Sequence, residues 1–141
     1  TPNVLDALDR AALMAQVRAW ARELGFSQIG LADIEGFSHL YVLWFFDRVE
    51  GVELTAWPPS DDRPHGVFAT RSPQRPNPIG LTVVRLLERD GCRLRVGGID
   101  MLDGTPILDV KPYLSNVPAD QLRRGWLAEA ERRKQAGGGI T

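Results

Sequence analysis

Leu81-Thr82-Val83-Val84-Arg85-Leu86-Leu87-Glu88 and Cys92-Arg93-Leu94-Arg95-Val96, the latter running on to Met101, are joined by a turn at Asp90-Gly91. In the second run Cys92, Leu94 and Val96 alternate with Arg93 and Arg95, the period-two pattern of a strand with one core face and one wet face. Asp-Gly tolerates the positive φ that a tight hairpin requires. Residues 81–101 therefore read as an antiparallel hairpin, and the surrounding chain is read outward from it.

Immediately upstream lies Ala69-Thr70-Arg71-Ser72-Pro73-Gln74-Arg75-Pro76-Asn77-Pro78-Ile79-Gly80. Each proline removes a backbone donor and fixes its own φ, which excludes a helix interior or a central strand. Each also pushes the preceding residue, here Ser72, Arg75 and Asn77, toward extended geometry. The product is a stiff loop carrying two planar guanidinium forks, Arg71 and Arg75, suited to a carboxylate, a phosphate or an aromatic face. Such a loop is either a rigid crossover with solvated arginines or a binding loop that loses little entropy when a ligand arrives.

Further out, residues 40–46 form a nearly continuous apolar run with Trp44, Phe45 and Phe46, as expected of a strand buried on both faces. Residues 107–110 give another short strand, and residues 28–32 a further one. Residues 52–59 end in a loop, and Asp61-Asp62 reads as a solvated acidic turn. The chain opens on an amphipathic helix over residues 4–24, with Leu13, Val17, Trp20 and Leu24 at helical spacing, Asn3 as N-cap and Gly25 as stop. Pro118 opens a last helix with Leu122, Trp126 and Ala130 inward and Arg123, Arg124, Arg132, Arg133 and Lys134 outward. The expected fold is mainly β: a small, partly closed β-barrel, which hides strand edges, with helices at both ends.

At 141 residues, 43% of them hydrophobic, the chain suits one globular domain. No stretch approaches the length of a membrane span, and the opening lacks a secretory pattern. The single cysteine, Cys92, leaves neither an internal disulfide nor a thiolate metal cluster, and a reducing cytoplasmic setting is expected. The net charge of −1 is unevenly spread: residues 63–95 carry seven arginines against two acids, while residues 1–62 carry four against ten. A near-neutral chain can thus still present a basic face to a phosphate backbone, or simply a sheet with solvated arginines.

Several clusters offer chemistry. Asp103-Gly104-Thr105 follows a strand and supplies a carboxylate, a hydroxyl and close backbone approach, or is a plain β-turn. Asp47-Arg48 follows the aromatic strand and reads as a strand-end charge pair exposed to water. Asp109 and Lys111 point to one side of a strand and either pair or orient substrate. Tyr113 stacks on a base or joins the core. His39 and His65 lack metal-ligand spacing, and there is no phosphate loop, dinucleotide fingerprint or nucleophile elbow.

From about residue 35 to residue 126 the chain resembles the TrmO family, also called TsaA-like or YaeB-like. The matching landmarks are Glu35-Gly36-Phe37-Ser38-His39, Gly66-Val67-Phe68 leading into the proline loop, Leu102-Asp103-Gly104-Thr105-Pro106, and Leu108-Asp109-Val110-Lys111-Pro112-Tyr113. The resemblance implies a β-barrel enzyme, usually a homodimer, that uses S-adenosylmethionine to methylate N6 of threonylcarbamoyladenosine beside the tRNA anticodon, without a metal. It implies a cofactor pocket from Arg71, Asn77, Leu81, Leu102, Asp103, Gly104 and Thr105, with Arg71 on the cofactor carboxylate or a tRNA phosphate. Asp47 and Arg48 fall where the family has a cofactor-contacting pair that usually begins with His, so Asp47 is a departure. Arg75, Lys111 and Tyr113 are expected to face substrate, and Asp103 and Asp109 are the candidate general bases. A cofactor- or RNA-binding barrel without turnover, and a methyltransferase with another acceptor, remain alternatives.

The opening departs from that family. Residues 13–33, in Trp20-Ala21-Arg22-Glu23-Leu24-Gly25-Phe26 and Ile29-Gly30-Leu31-Ala32-Asp33, resemble the start of epoxyqueuosine reductase, and contain no Cys for iron–sulfur ligation. The expected organisation is an N-terminal helix and strand over 1–34, the barrel domain over 35–134, and a linker-like tail over 135–141.

Overall fold

The structure, a computed structural model, describes residues 30–137. Among the described residues there are six strands: β1 (His39–Phe45), β2 (Thr55–Ala56), β3 (His65–Gly66), β4 (Ile79–Asp90), β5 (Arg93–Gly97) and β6 (Ile107–Pro112). One helix, α1 (Trp126–Gly137), follows them. The strands β5-β4-β1-β6 make one antiparallel sheet, and β2-β3 a separate two-stranded ribbon.

Side-chain alternation sets the core. Leu40, Val42 and Trp44 share one face of β1, and register places them opposite Val84, Thr82 and Gly80 of β4. All six are buried. Leu86, Leu94, Val96, Ile107 and Val110 pack around this cluster. Gly80 is obligatory in this arrangement, because a Cβ there would fall inside the Trp44 indole.

The expectation that β1 is buried on both faces is corrected. Tyr41 and Leu43 are only half-buried, and their β4 neighbours Ile79, Leu81 and Val83 are 42–44% exposed. No second layer covers that face among the described residues. Nor do the described strands close a barrel: β5 and β6 are the two edges of an open sheet.

The central hairpin forms, with a shifted turn. Asp90 pairs with Arg93, so Gly91-Cys92 are the two loop residues, and Gly91 takes φ 59°. A glycine with positive φ at the first loop position is what a primed two-residue turn requires. The second strand ends at Gly97, where Gly98 (φ 87°) turns the chain away, well short of Met101. An irregularity between Leu86 and Glu88 leaves Leu87 extra on β4.

Residues 30–33 form a turn rather than the end of a strand, followed by a 3-10 turn at Ile34–Gly36. Arg89 anchors it: Nη1 donates to the Leu31 carbonyl at 3.0 Å and to Glu35, while Nε donates to Gly91 O at 2.9 Å. The helix expected over 4–24, its Asn3 cap, its Gly25 stop and residues 28–29 lie outside the described residues, as do residues 138–141 of the tail.

The last helix begins later than Pro118, which instead precedes a 3-10 turn at Ala119–Gln121. Gly125 (φ 54°) separates that turn from α1, so Leu122 is exposed rather than on an inner helical face. Ala130 is buried as expected, and residues 135–137 are helical rather than linker. No helix among the described residues is long and apolar enough to cross a membrane.

Candidate functional site

The proline loop is held from within and from both sides. Arg75 turns onto it, donating to Thr70 O at 2.8 Å and Ser72 O at 3.5 Å, and its guanidinium carbon sits 5.8 Å over the Phe68 ring. Gln74 donates to Glu50 O at 3.2 Å, and Phe46 N to Pro78 O at 2.8 Å. Pro76 and Pro78 are buried. Thus Arg75 braces the loop, while Arg71 is exposed with its guanidinium bonded to no described residue.

Two adjoining clefts meet beside this loop. The larger, about 490 Å³, is lined by Trp44, Phe46, Arg71, Asn77, Leu81 and Asp100, among others. The smaller, about 140 Å³, is lined by Phe46, Asp47, Arg48, Asp100, Leu102 and Thr105, among others. Trp44, Phe46 and Asp100 belong to both, and the Trp44 and Phe46 rings lie 4.2 Å apart. Residues far apart in sequence are therefore gathered here: the strand-end pair Asp47-Arg48, the loop residues Arg71 and Asn77, Leu81 on β4, and the turn after β5.

That turn is fastened to the pair. Arg48 Nη2 donates to the Asp103 carbonyl, Gly104 takes φ 81°, and a Cβ on Gly104 would lie 2.9 Å from Arg48 Nη2. Thr105 N donates to Leu102 O at 3.1 Å. Asp103-Gly104 thus forms a β-turn and a cleft rim at once, and the Asp103 side chain is exposed.

Sequence reasoning missed Asp100. Trp44 Nε1 donates to Thr82 Oγ1 at 2.9 Å, and that hydroxyl donates to Asp100 Oδ1 at 2.5 Å. Thr82 is buried and aims Asp100 at the junction of the clefts. Pairing of β1 with β4 sets Trp44 beside Thr82, and the turn after β5 brings Asp100 to them, so no local motif marks the three.

The β6 residues stand apart. Val110 faces the core opposite Val42, so Asp109 and Lys111 face the other side of the sheet. They pair with each other at 3.1 Å, and Asp109 also accepts from Val110 N at 2.8 Å. Tyr113 lies 5.1 Å from Tyr41, ring to ring.

A second missed constellation secures α1. The Asp61 side chain is 2% exposed, not solvated; it accepts from His65 Nε2 at 2.7 Å and from Arg133, which turns inward rather than outward. Bonding to His65, then to Arg133, holds the Asp61 carboxyl well below the usual carboxylate range. His65 stacks on Trp126 at 4.2 Å, and Trp126 Nε1 donates to Ala69 O at 2.8 Å, at the head of the proline loop.

Comparison with known proteins bears on this geometry. Residues 10–119 match the family described as tRNA-methyltransferase O N-terminal domain. The match runs through residues 13–33, where a resemblance to epoxyqueuosine reductase was expected, and across residues 34 and 35. A "Probable S-adenosyl-L-methionine-binding protein" of Archaeoglobus fulgidus is 56% identical over 102 residues, covering 72% of this chain and 28% of the relative. A "tRNA (adenine(37)-N6)-methyltransferase" of Eikenella corrodens is 48% identical over 93 residues, 59% of this chain and 51% of the relative. The crystal structure of TrmO from Pseudomonas aeruginosa aligns with a TM-score of 0.57 and 37% identity over 73% of this chain and 44% of that one. The chain spans about half, or less, of the length of these proteins. By the family match over most of its length, the chain belongs to the tRNA-methyltransferase O N-terminal domain family.

Proposed function

We propose that this chain is the cofactor-binding and methyl-transferring part of an S-adenosylmethionine-dependent tRNA methyltransferase acting on N6 of threonylcarbamoyladenosine beside the anticodon. The observation that carries this reading is the meeting of two clefts at Trp44, Phe46 and Asp100 in a chain of this family.

The residues fit the cofactor. Trp44 and Phe46 offer flat apolar walls to an adenine. The exposed Arg71 fork suits the carboxylate of its methionine portion. Leu81, Leu102 and Thr105 shape the remainder, with Asn77, Asp47 and Arg48 at the margins. When bound, the cofactor supplies a methyl group on an electrophilic sulfonium. The chain supplies placement, since a near-attack geometry of about 3–3.5 Å accounts for much of the acceleration of such a transfer.

Asp100 offers an acceptor to the exocyclic amine where methyl and base must meet, and Thr82 fixes its orientation. Asp103 sits on the rim, bonded to Arg48 through its carbonyl. Asp109, Lys111 and Tyr113 face the other side of the sheet and contribute to RNA contact there. A homodimer completes the assembly. Ile79, Leu81 and Val83 form an exposed apolar strip beside Tyr41 and Tyr113, and a second copy packed on that strip would cover the open face of the sheet. Leu81 lies on both strip and cleft, so this contact would border the site.

The test is transfer of a radiolabelled methyl group from S-adenosylmethionine to tRNA that carries threonylcarbamoyladenosine, against the same tRNA without it. Label on the modified tRNA alone supports the reading. Cofactor binding with no transfer would make the chain a binding module, as the name of the Archaeoglobus relative describes that protein. Transfer to other acceptors only would keep the enzyme and replace its substrate.

A further inference from the structure

A third cleft, about 750 Å³, opens between the β2–β3 ribbon, residues 68–73 and the start of α1. Trp57 is 69% exposed and Phe68 70% exposed on its wall, and Trp126, Leu127 and Arg71 line it too. Phe68, Thr70 and Arg71 also line the 490 Å³ cleft, so the two share a seam.

Resting on the tRNA methyltransferase reading, we propose that this cleft stacks an unpaired RNA base neighbouring the methylated nucleotide. Large aromatic rings left in water beside a concave surface mark a binding surface. Unpaired bases are recognised by stacking on such rings, and every base offers a π-face. The wall is already built: Trp126 is fixed by Ala69 O and by the His65 ring, and Arg75 covers one side of Phe68. Among the described lining residues Arg71 is the only lysine or arginine, so stacking rather than a run of phosphate contacts characterises this wall. A base here and one at the Trp44–Asp100 junction would lie on either side of the seam that the two clefts share.

The test measures binding of a fluorescein-labelled anticodon stem–loop RNA by anisotropy for the full chain and for Trp57→Ala, Phe68→Ala and Trp57→Phe. Each protein is also titrated calorimetrically with S-adenosylmethionine. Both rings are exposed, so the variants keep the fold. The alanine variants should bind RNA about tenfold or more weakly. Trp57→Phe should recover most of that, and both Trp57 variants should keep the parent's cofactor affinity, since Trp57 lines the 750 Å³ cleft and not the 490 Å³ one. Unchanged RNA binding by both alanine variants overturns the proposal. So does loss of cofactor binding in Trp57→Ala with RNA binding intact, which would assign the cleft to the cofactor. If the parent binds RNA through these rings but neither binds cofactor nor transfers methyl, the enzymatic reading fails and the stacking cleft stands.

Discussion

Thr82 donates its hydroxyl hydrogen to Asp100 Oδ1 at 2.5 Å while accepting from Trp44 Nε1 at 2.9 Å, so one buried hydroxyl ties the core to the junction of two clefts. Thr82→Val removes that link and leaves the buried Trp44 N–H unpaired. An unsatisfied buried donor costs about 1–3 kcal/mol, which urea denaturation should register. Asp100→Asn keeps an acceptor for Thr82 and sits at an exposed position, so stability should hold while methyl transfer falls. A variant with normal transfer would remove Asp100 from the site.

Gly80 lies against the face of Trp44. Gly80→Ala must push the indole, and with it Thr82 and Phe46, out of place. Overpacking of this kind costs about 1–3 kcal/mol. Thermal unfolding should show a lowered midpoint, and cofactor affinity should fall with it because Trp44 walls both clefts.

Asp61 gives a pH signature. Its carboxyl is held below its ordinary value of 3.8 by His65 and then Arg133, with the exposed Asp62 4.0 Å from the same arginine. A carboxyl depressed in the folded state contributes stability above its unfolded pKa and loses it as pH falls through the folded one. The parent should therefore lose midpoint in urea from pH 6 to pH 3, and Asp61→Asn should lose less over that interval. Equal pH dependence in the two proteins would contradict the pairing.

Arg89 pins residues 31–35 to the β4–β5 hairpin through Leu31, Glu35 and Gly91. Arg89→Lys carries its donors on a single nitrogen and cannot reach the acceptors that Nε and Nη1 serve separately. Faster amide exchange confined to residues 31–37 is expected, with the sheet unchanged.

The sheet was legible because its signals are local. Leu94 and Val96 alternate with arginines, and glycine marks the turn, although Gly91-Cys92 rather than Asp90-Gly91 occupy it, since pairing of Asp90 with Arg93 decides the register. The start of α1 was not legible: Pro118 is a good opening residue, but the left-handed Gly125 interrupts any continuous helix. Asp61 read as solvated because its partner Arg133 lies 72 residues away. The same holds for Asp100, whose orientation depends on Thr82 and Trp44 across two strands. Arg71, Asn77 and Leu81 were legible as a group because a stiff proline loop leading into β4 keeps neighbours in sequence near each other in space. Arg75, chemically identical to Arg71, turned inward, a choice set by the Thr70 and Ser72 carbonyls rather than by residue type.

The most direct test of the account is calorimetric titration of the protein with S-adenosylmethionine, alongside Arg71→Ala. The account predicts saturable binding by the parent, weakened at least about tenfold in the variant by loss of a charge-assisted contact. A folded parent that shows no binding, with tRNA present or absent, would contradict it.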